Sequence, residues 1–357
     1  MRLESAQELK RTLLQDLVLP FATTETFAVG AKPRELIPDV HRSIALGIAP
    51  HQGEYRLAIR LQRPSLLASA IVERLTADAR GEVDVRIIGR IDKRARSRRS
   101  NTPRRASTRG RRSRRAQPSQ ATRPWYQQDA RPLLIGASIG HVNITAGTTG
   151  AFVRRGTAVH VLSNNHVLAN EDQARTNDWI LQRAPYDGGR QPAQRVARLK
   201  QWVRLKPTGI NVVDCAIAAL QPRVGFDAGR LRQLVNNADR KLAGVAAQPL
   251  DAGDTVYKVG RTTGATKGRV TAFDVDNVVV AYDVGNLRFD NQIEIEGTGR
   301  QSFSDGGDSG SLIVNDAMEA VGLLFAGGDQ GGSNGLGLTY ANPLQRVLSD
   351  LKATLLF

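Results

Sequence analysis

The chain has 357 residues, which is long enough for two or three domains, each with its own core. Its net charge is +16, but residues 93–115 hold twelve Lys or Arg and no acid, so the remainder carries only about +4. The single cysteine, Cys215, excludes an intrachain disulfide and a multi-cysteine metal site. No run of 18 apolar residues occurs and residues 1–8 lack the apolar core of a signal peptide, so we expect a cytoplasmic protein without a membrane partner.

The first 92 residues alternate helical and strand patterns. Leucines at 9, 13, 14 and 17 have helical spacing, and residues 83–88 alternate as a strand does. The predicted elements are, in order, helix 5–17, strands 43–48 and 56–61, helix 65–79 and strand 83–88. This order predicts a small α/β domain over residues 1–92.

Residues 93–131 are rich in Arg, Ser, Thr, Pro and Gln, and almost no aliphatic residue interrupts them. Such a segment buries too little apolar surface to offset its ordering entropy, so we predict a disordered linker. Its positive charge also predicts weak, non-specific and salt-dependent binding of nucleic acid or an acidic partner through residues 93–115. Without interleaved aromatic residues, sequence-specific recognition is not expected.

The second region, residues 132–357, consists of short strands separated by turn residues. This spacing predicts a mainly β fold of two barrels, over about 132–222 and 251–345. Residues 223–250 carry Leu231, Leu234 and Val235 at helical spacing, so we predict a helical bridge between the barrels. Pro343 at a first helical position predicts a closing C-terminal helix.

A candidate nucleophile, Ser309, lies on a glycine-rich turn directly before the apolar strand 312–314. Glycines let the backbone turn sharply and leave amide N–H groups free to face a developing oxyanion. A turn of this composition is also common without catalysis, so the motif needs support from elsewhere in the chain.

That support comes from two upstream strands. His166 follows the apolar strand 159–162, and Asp214 opens a run, 215–220, that has no other charge. A buried carboxylate needs a partner, because burying an unpaired charge is costly. The order His166, Asp214, Ser309 is that of the chymotrypsin class and the reverse of the α/β-hydrolase order. The alternatives are that His166 only ends a strand and that Asp214 only caps a turn.

Four motifs in order, GTTGAF (147–152), LSNNHVLA (162–169), VGRTTG (259–264) and GDSGSL (307–312), resemble the trypsin-like serine proteases related to the plant narrow-leaf protein. The resemblance implies a double β-barrel of the chymotrypsin type preceded by a small α/β domain. It also implies a catalytic triad of His166, Asp214 and Ser309, with an oxyanion hole formed by the backbone N–H groups of Gly307 and Ser309. The implied activity is that of a serine endopeptidase acting on protein or peptide substrates through an acyl-enzyme.

Neither a cofactor nor a metal is expected, since His141 and His160 lack acids or cysteines at ligand spacing. Phe303 stands six residues before the nucleophile, where trypsin-like enzymes of basic preference carry an acid, so cleavage after Arg or Lys is not expected. Two other functions stay open: a non-catalytic scaffold with a protease fold, and binding through residues 93–115. Homo-oligomerisation also stays open.

Overall fold

The computed structural model describes residues 1–19, 41–93, 123–247, 250 and 253–357. Its N-terminal region contains two α-helices and four strands: α1 (Leu3–Leu13), β1 (Ile44–His51), β2 (Glu54–Leu61), α2 (Ala70–Asp78), β3 (Val83–Ile87) and β4 (Ile91–Lys93). A π-helical turn, Leu14–Val18, extends α1 and turns Leu14 and Val18 into the core. The first predicted helix is therefore confirmed, and the second is confirmed as the shorter α2, because a 3₁₀ turn forms at Pro64–Leu66.

The N-terminal strands continue the sheet of the C-terminal half. Strand β1 pairs with β2 on one side and, through Leu46 and Ile48, with residues Asp276 and Phe273 on the other. The buried guanidinium of Arg60 donates from Nε to the buried carboxylate of Glu294, at 2.8 and 3.0 Å. The proposed domain boundaries remain a prediction, but the N-terminal layer and the C-terminal half share one sheet.

Most of the predicted disordered linker, residues 94–122, lies outside the described residues. Its two described ends have ordered positions. Lys93 ends β4, and a 3₁₀ turn forms at Trp125–Gln127. Trp125 packs against the core of the first barrel, and the amide of Gln127 donates to the carbonyl of Arg261 at 3.0 Å.

The first barrel is an open half-barrel whose apolar side chains face inward. Phe152, Val161 and Ile217 are fully buried in its core. Its elements are β5 (Leu133–Leu134), β6 (Ser138–His141), β7 (Gly147–Thr148), β8 (Ala151–Arg155), β9 (Ala158–Ser163), α3 (Asn165–Leu168), β10 (Trp179–Leu181), β11 (Arg195–Trp202), β12 (Ile210–Asn211) and β13 (Ala216–Leu220). Strands β8, β9, β13, β11, β10 and β6 pair in that order.

The helical bridge predicted over residues 223–250 is wrong. The chain forms β14 (Phe226–Asp227), β15 (Arg230–Val235), β16 (Ala238–Lys241) and β17 (Gly244–Val245). Strands β15 and β16 make a hairpin whose turn residues, Asn236 and Asn237, both have positive φ. Asn tolerates this conformation and thus favours the two-residue hairpin turn, which matches the twist of paired strands.

The second barrel is closed. Strands β18, β19, β22, β25, β24 and β23 pair in that order, and β23 pairs back with β18. The elements are β18 (Thr255–Gly260), β19 (Gly264–Asp276), β20 (Val278–Tyr282), β21 (Gly285–Phe289), β22 (Gln292–Gly297), β23 (Leu312–Asn315), β24 (Glu319–Gly328) and β25 (Leu338–Pro343). The hairpin of β20 and β21 extends this sheet. The predicted mainly β, double-barrel class is confirmed.

The chain ends with α4 (Leu344–Leu351) and β26 (Thr354–Leu355), and β26 pairs with β8 of the first barrel. The predicted closing helix is thus confirmed, with Val347 and Leu351 fully buried against the first core. Within the described residues, no helix is both long and apolar enough to cross a membrane.

Candidate active site

His166 lies on α3, the single helical turn that follows β9. The two residues before it are anchored: Asn164 donates to the carbonyl of Asp214 at 2.7 Å, and Asn165 donates to the carbonyl of Val203 at 2.8 Å. The imidazole is fully buried. Among the residues that the structure describes, its Nε2 atom has no hydrogen-bond partner. The first barrel therefore holds this ring rigidly and leaves one nitrogen free.

Asp214 directly precedes Cys215 and β13, and its carboxylate is fully buried. Nδ1 of His166 donates to Oδ2 of Asp214 at 2.5 Å, and the backbone N–H of His166 donates to Oδ1 at 3.3 Å. Burial alone would raise the pKa of Asp214, but the charge and hydrogen bonds of His166, with the hydroxyl of Tyr282, hold the pKa below its usual value. The carboxylate therefore stays ionised and fixes the imidazole tautomer.

Tyr282 is a contact that the sequence did not reveal. Its hydroxyl donates to Oδ2 of Asp214 at 2.6 Å. Burial, together with the neighbouring carboxylate, raises the pKa of this hydroxyl well above its usual value, so it stays a donor. The ring of Tyr282 also meets that of His166 edge to face at 5.9 Å. The second barrel thus orients the His–Asp pair of the first.

Ser309 lies on the turn before β23 and is fully buried. This turn contacts the first barrel, since the N–H of Thr148 donates to the carbonyl of Ser309 at 2.8 Å. The hydroxyl of Ser309 donates to the carbonyl of Phe325 at 3.4 Å and makes no hydrogen bond with His166. A hydrogen bond therefore joins His166 and Asp214, two of the three predicted catalytic residues, whereas the hydroxyl of Ser309 bonds to Phe325 instead. Catalytic hydrogen bonds often form only with substrate bound.

Two glycines shape the turn around Ser309. Gly307 has φ +103°, and a Cβ there would lie 2.4 Å from Oγ1 of Thr262. Gly310 has φ +90°, and a Cβ there would lie 2.0 Å from Oγ of Ser163. Among the described residues, the N–H groups of Gly307 and Ser309 donate to no acceptor. Two unused N–H groups on a glycine turn can receive an oxyanion.

The side chain of Asp308 holds the same turn in place. Its buried carboxylate accepts from the N–H groups of Thr262 and Thr263, at 2.8 and 3.2 Å, and lies 3.5 Å from Nζ of the buried Lys258. The VGRTTG motif is therefore the hairpin turn between β18 and β19, and its amides bind this carboxylate. The sequence did not indicate this ion pair, because Lys258 lies on an alternating strand, where a lysine usually faces solvent.

Phe303, the aromatic residue considered for specificity, is buried in the core of the second barrel. The buried ring of Phe325 packs on that of Phe289 at 4.7 Å. A cavity of about 750 Å³ opens instead beside His166, and Lys93, Glu171 and Asp283 line part of it. The described part of the chain has no group of three or more His, Cys, Asp or Glu that could hold a metal ion.

The closed barrel, the half-barrel and the site between them define a chymotrypsin-type double-barrel protein. A family model described as Trypsin matches residues 127–349. Because this match spans more than half of the chain, the protein belongs to the trypsin family.

Solved structures of proteases also match the chain, at low identity and with TM-scores under 0.5. Thermobifida fusca protease A is 16% identical over 63% of this chain and 98% of its own, with a TM-score of 0.45. Cellulomonas bogoriensis chymotrypsin is 18% identical over 63% of this chain and 98% of its own, with a TM-score of 0.44. A glutamic acid specific serine protease is 23% identical over 63% of this chain and 100% of its own, with a TM-score of 0.44. No curated protein sequence matches the chain.

Proposed function

We propose that the protein is a serine endopeptidase in which Ser309 is the nucleophile, His166 the general base and acid, and Asp214 the orienting group. The hydrogen bond from Nδ1 of His166 to the carboxylate of Asp214 carries this proposal. With its proton on Nδ1, the imidazole has a lone pair on Nε2, and that atom is buried without a partner in the described part of the chain. A free, oriented Nε2 is what proton transfer from a serine requires.

The reaction begins when the hydroxyl of Ser309 turns away from Phe325 and attacks the peptide carbonyl carbon. Its proton passes to Nε2 of His166, and the N–H groups of Gly307 and Ser309 bind the oxyanion. The C–N bond then breaks, the imidazolium protonates the leaving amine, and an acyl-enzyme remains. Water then attacks the ester carbon and gives its proton to Nε2 of His166. The imidazolium returns this proton to Oγ of Ser309 as the C–O bond breaks and the carboxylic acid leaves.

Labelling with a fluorophosphonate probe, followed by mass spectrometry of the adduct, tests the nucleophile. We expect an adduct on Ser309 of the folded protein, and Ser309→Ala should lower peptide turnover roughly 10⁴-fold. Ser302→Ala is the matched control, because this half-buried serine lies in the segment that leads into the turn of Ser309. Full peptidase activity in Ser309→Ala, or an adduct that survives this substitution, contradicts the assignment.

A second candidate is a protease-fold scaffold that binds partners without turnover. The observation in its favour is the hydroxyl of Ser309, which is buried and bonded to the carbonyl of Phe325. Under this alternative, the folded protein forms no fluorophosphonate adduct.

The cellular location and the relation to a particular group of proteases are also part of this proposal. A lone, buried cysteine suits a reducing compartment, which supports a cytoplasmic location. The relation to narrow-leaf proteases stays a prediction based on the four motifs. Nucleic-acid binding through residues 93–115 also stays a prediction, as does homo-oligomerisation; the ammonium of Lys93, the described residue of that segment, already pairs with Glu171 and Asp283.

A further inference from the structure

Strand β4 lines the cavity beside His166. It pairs in parallel with β20, and it pairs antiparallel with β24 through Asp92 opposite Gly327 and Lys93 opposite Ala326. Ala326 directly follows Phe325, whose carbonyl accepts from the hydroxyl of Ser309. The paired residues of β4 therefore lie along β24 next to the residue that contacts Ser309.

A peptide that is to be cut at Ser309 needs an extended backbone and a strand edge that holds it. The segment of β24 at Ala326 and Gly327 offers such an edge, and an added strand gains its affinity from main-chain hydrogen bonds there. In this chain β4 already uses that edge. Its Ile91 is almost fully buried, in a cluster with Tyr282 and Phe325, so the strand is firmly seated.

The side chain of Lys93 contacts a pair of carboxylates beside His166. Its Nζ atom contacts Oε1 of Glu171 and lies 2.8 Å from Oδ2 of Asp283. The carboxylate of Glu171 is almost fully buried and also accepts from the N–H of Val284 at 3.2 Å. An ammonium group is needed here, because a buried carboxylate without a cation is costly.

We propose that Ile91–Lys93 occupies the position where a peptide substrate pairs with β24, and that Glu171 and Asp283 form a subsite for a basic side chain of that substrate. Lys93 fills the subsite when no substrate is bound, so the N-terminal region competes with substrate within the molecule. The substrate class is thus an extended peptide with Lys or Arg at this position. The inference rests on the proposed function.

Peptide binding in a Ser309→Ala background tests the competition without any turnover. The probe is a fluorescent peptide with the sequence of residues 87–93, measured by anisotropy. We expect Lys93→Gln to weaken the internal strand and to tighten binding of the probe at least tenfold. Lys200→Gln, on an exposed residue of β11, is the matched control and should leave binding unchanged. Equal affinity in the Lys93→Gln and control proteins overturns the competition.

The subsite is tested with a second peptide in which Gln replaces the lysine. In Ser309→Ala/Lys93→Gln, we expect the lysine peptide to bind at least tenfold tighter than the glutamine peptide. Adding Glu171→Gln and Asp283→Asn should abolish this preference. A preference that survives these two substitutions, or no preference before them, overturns the subsite. Thermal unfolding checks each variant, and Ile91→Ala, which removes apolar contacts of β4 and keeps both carboxylates, loosens the internal strand if Lys93→Gln does not fold.

Kinetics separate this inference from the proposed function. In the otherwise unmodified protein, Lys93→Gln should lower the KM of peptide substrates and leave kcat unchanged. If no turnover depends on Ser309, the proposed function fails, while the binding measurements still decide whether β4 competes for the cleft. An unchanged KM in an active protein contradicts the competition.

Discussion

At the scale of single residues, the His–Asp pair depends on a third side chain from the other barrel. Tyr282 donates to the oxygen of Asp214 that already accepts from His166. The two donors together offset the desolvation of a carboxylate that is fully buried. Removing one donor should therefore affect both the pKa of Asp214 and the orientation of His166.

We expect Tyr282→Phe to lower kcat/KM about tenfold, because a hydrogen bond to a charged group contributes about 1.5–3 kcal/mol and part of it is lost in the reaction. Steady-state kinetics measure this effect. Tyr257→Phe is the matched control, since its hydroxyl donates to a carboxylate oxygen of Asp316 at 3.0 Å elsewhere in the second barrel. Equal losses in the two variants would indicate a general packing effect.

The same variant should change acid stability. The pKa of Asp214 is lowered in the folded state, so its ionisation stabilises the fold above the unfolded pKa, and this stabilisation is lost as the pH falls through the folded pKa. In Tyr282→Phe the pKa is lowered less, so unfolding should begin at higher pH. Circular dichroism between about pH 5 and pH 2 measures the midpoint. A midpoint unchanged from that of the unmodified protein would show that Tyr282 does not support the carboxylate.

The sequence predicted His166, Asp214 and Ser309 from order and motifs, but it did not predict Tyr282 or Lys258. Lys258 lies on an alternating strand and Tyr282 ends an apolar one, and the polar end of either side chain usually faces solvent. The pairing of β18 with β23 brings Lys258 to Asp308, and the contact between the two barrels brings Tyr282 to Asp214. These partners depend on contacts between distant strands, which local patterns do not encode.

At the scale of elements, the turn that carries Ser309 requires glycine for two separate reasons. Gly307 has a positive φ, and Thr262 leaves no room for a Cβ. A side chain at position 307 would strain the backbone and clash with Thr262. Either effect would move the backbone N–H away from the place where a carbonyl oxygen can approach it. A substitution here should therefore affect the transition state more than substrate binding.

Gly307→Ala should lower kcat about 10²- to 10³-fold with little change in KM, as expected when one oxyanion donor is displaced. Gly335→Ala is the matched control, because Gly335 has φ +73° and nothing within 4 Å of an added Cβ. Both variants place a side chain at a positive φ, and only the first also places it in a clash. Comparable kcat values for the two variants would contradict the proposed oxyanion hole.

The error over residues 223–250 also belongs to this scale. Leu231, Leu234 and Val235 have helical spacing, yet they lie on or beside a hairpin strand with a positive φ at Gln233. This irregularity disturbs the alternation that a strand normally shows, so the apolar residues imitate a helix face. The Asn236–Asn237 pair was the signal that could have identified the hairpin.

At the scale of the whole molecule, the N-terminal layer is tied to the second barrel by a buried ion pair. The carboxylate of Glu294 accepts from Arg60 and also from the hydroxyls of Thr271 and Tyr340, at 2.8 and 2.9 Å. A sheet that continues across this contact should make the two parts unfold together. The sequence predicted separate parts, because pairing between β1 and β19 leaves no local pattern.

Arg60→Met should lower the free energy of unfolding by about 3–5 kcal/mol, because it leaves Glu294 buried without its cation. Arg60→Met/Glu294→Met should recover much of this loss. Denaturant unfolding, followed in the far ultraviolet and by tryptophan fluorescence, measures both variants. Arg74→Met, which removes an exposed helical ion pair, is the control and should change little. A small loss in Arg60→Met would show that the two parts are weakly joined.

The counter-charge of Asp308 comes from Lys258, a side chain in the middle of a strand and not a chain end. The turn that carries Ser309 therefore has its counter-charge as soon as the polypeptide folds, and no scission has to create an ammonium group for it. Under the competition proposed above, control of the protein is reversible, set by what fills the cleft at a given moment rather than by the covalent history of the molecule.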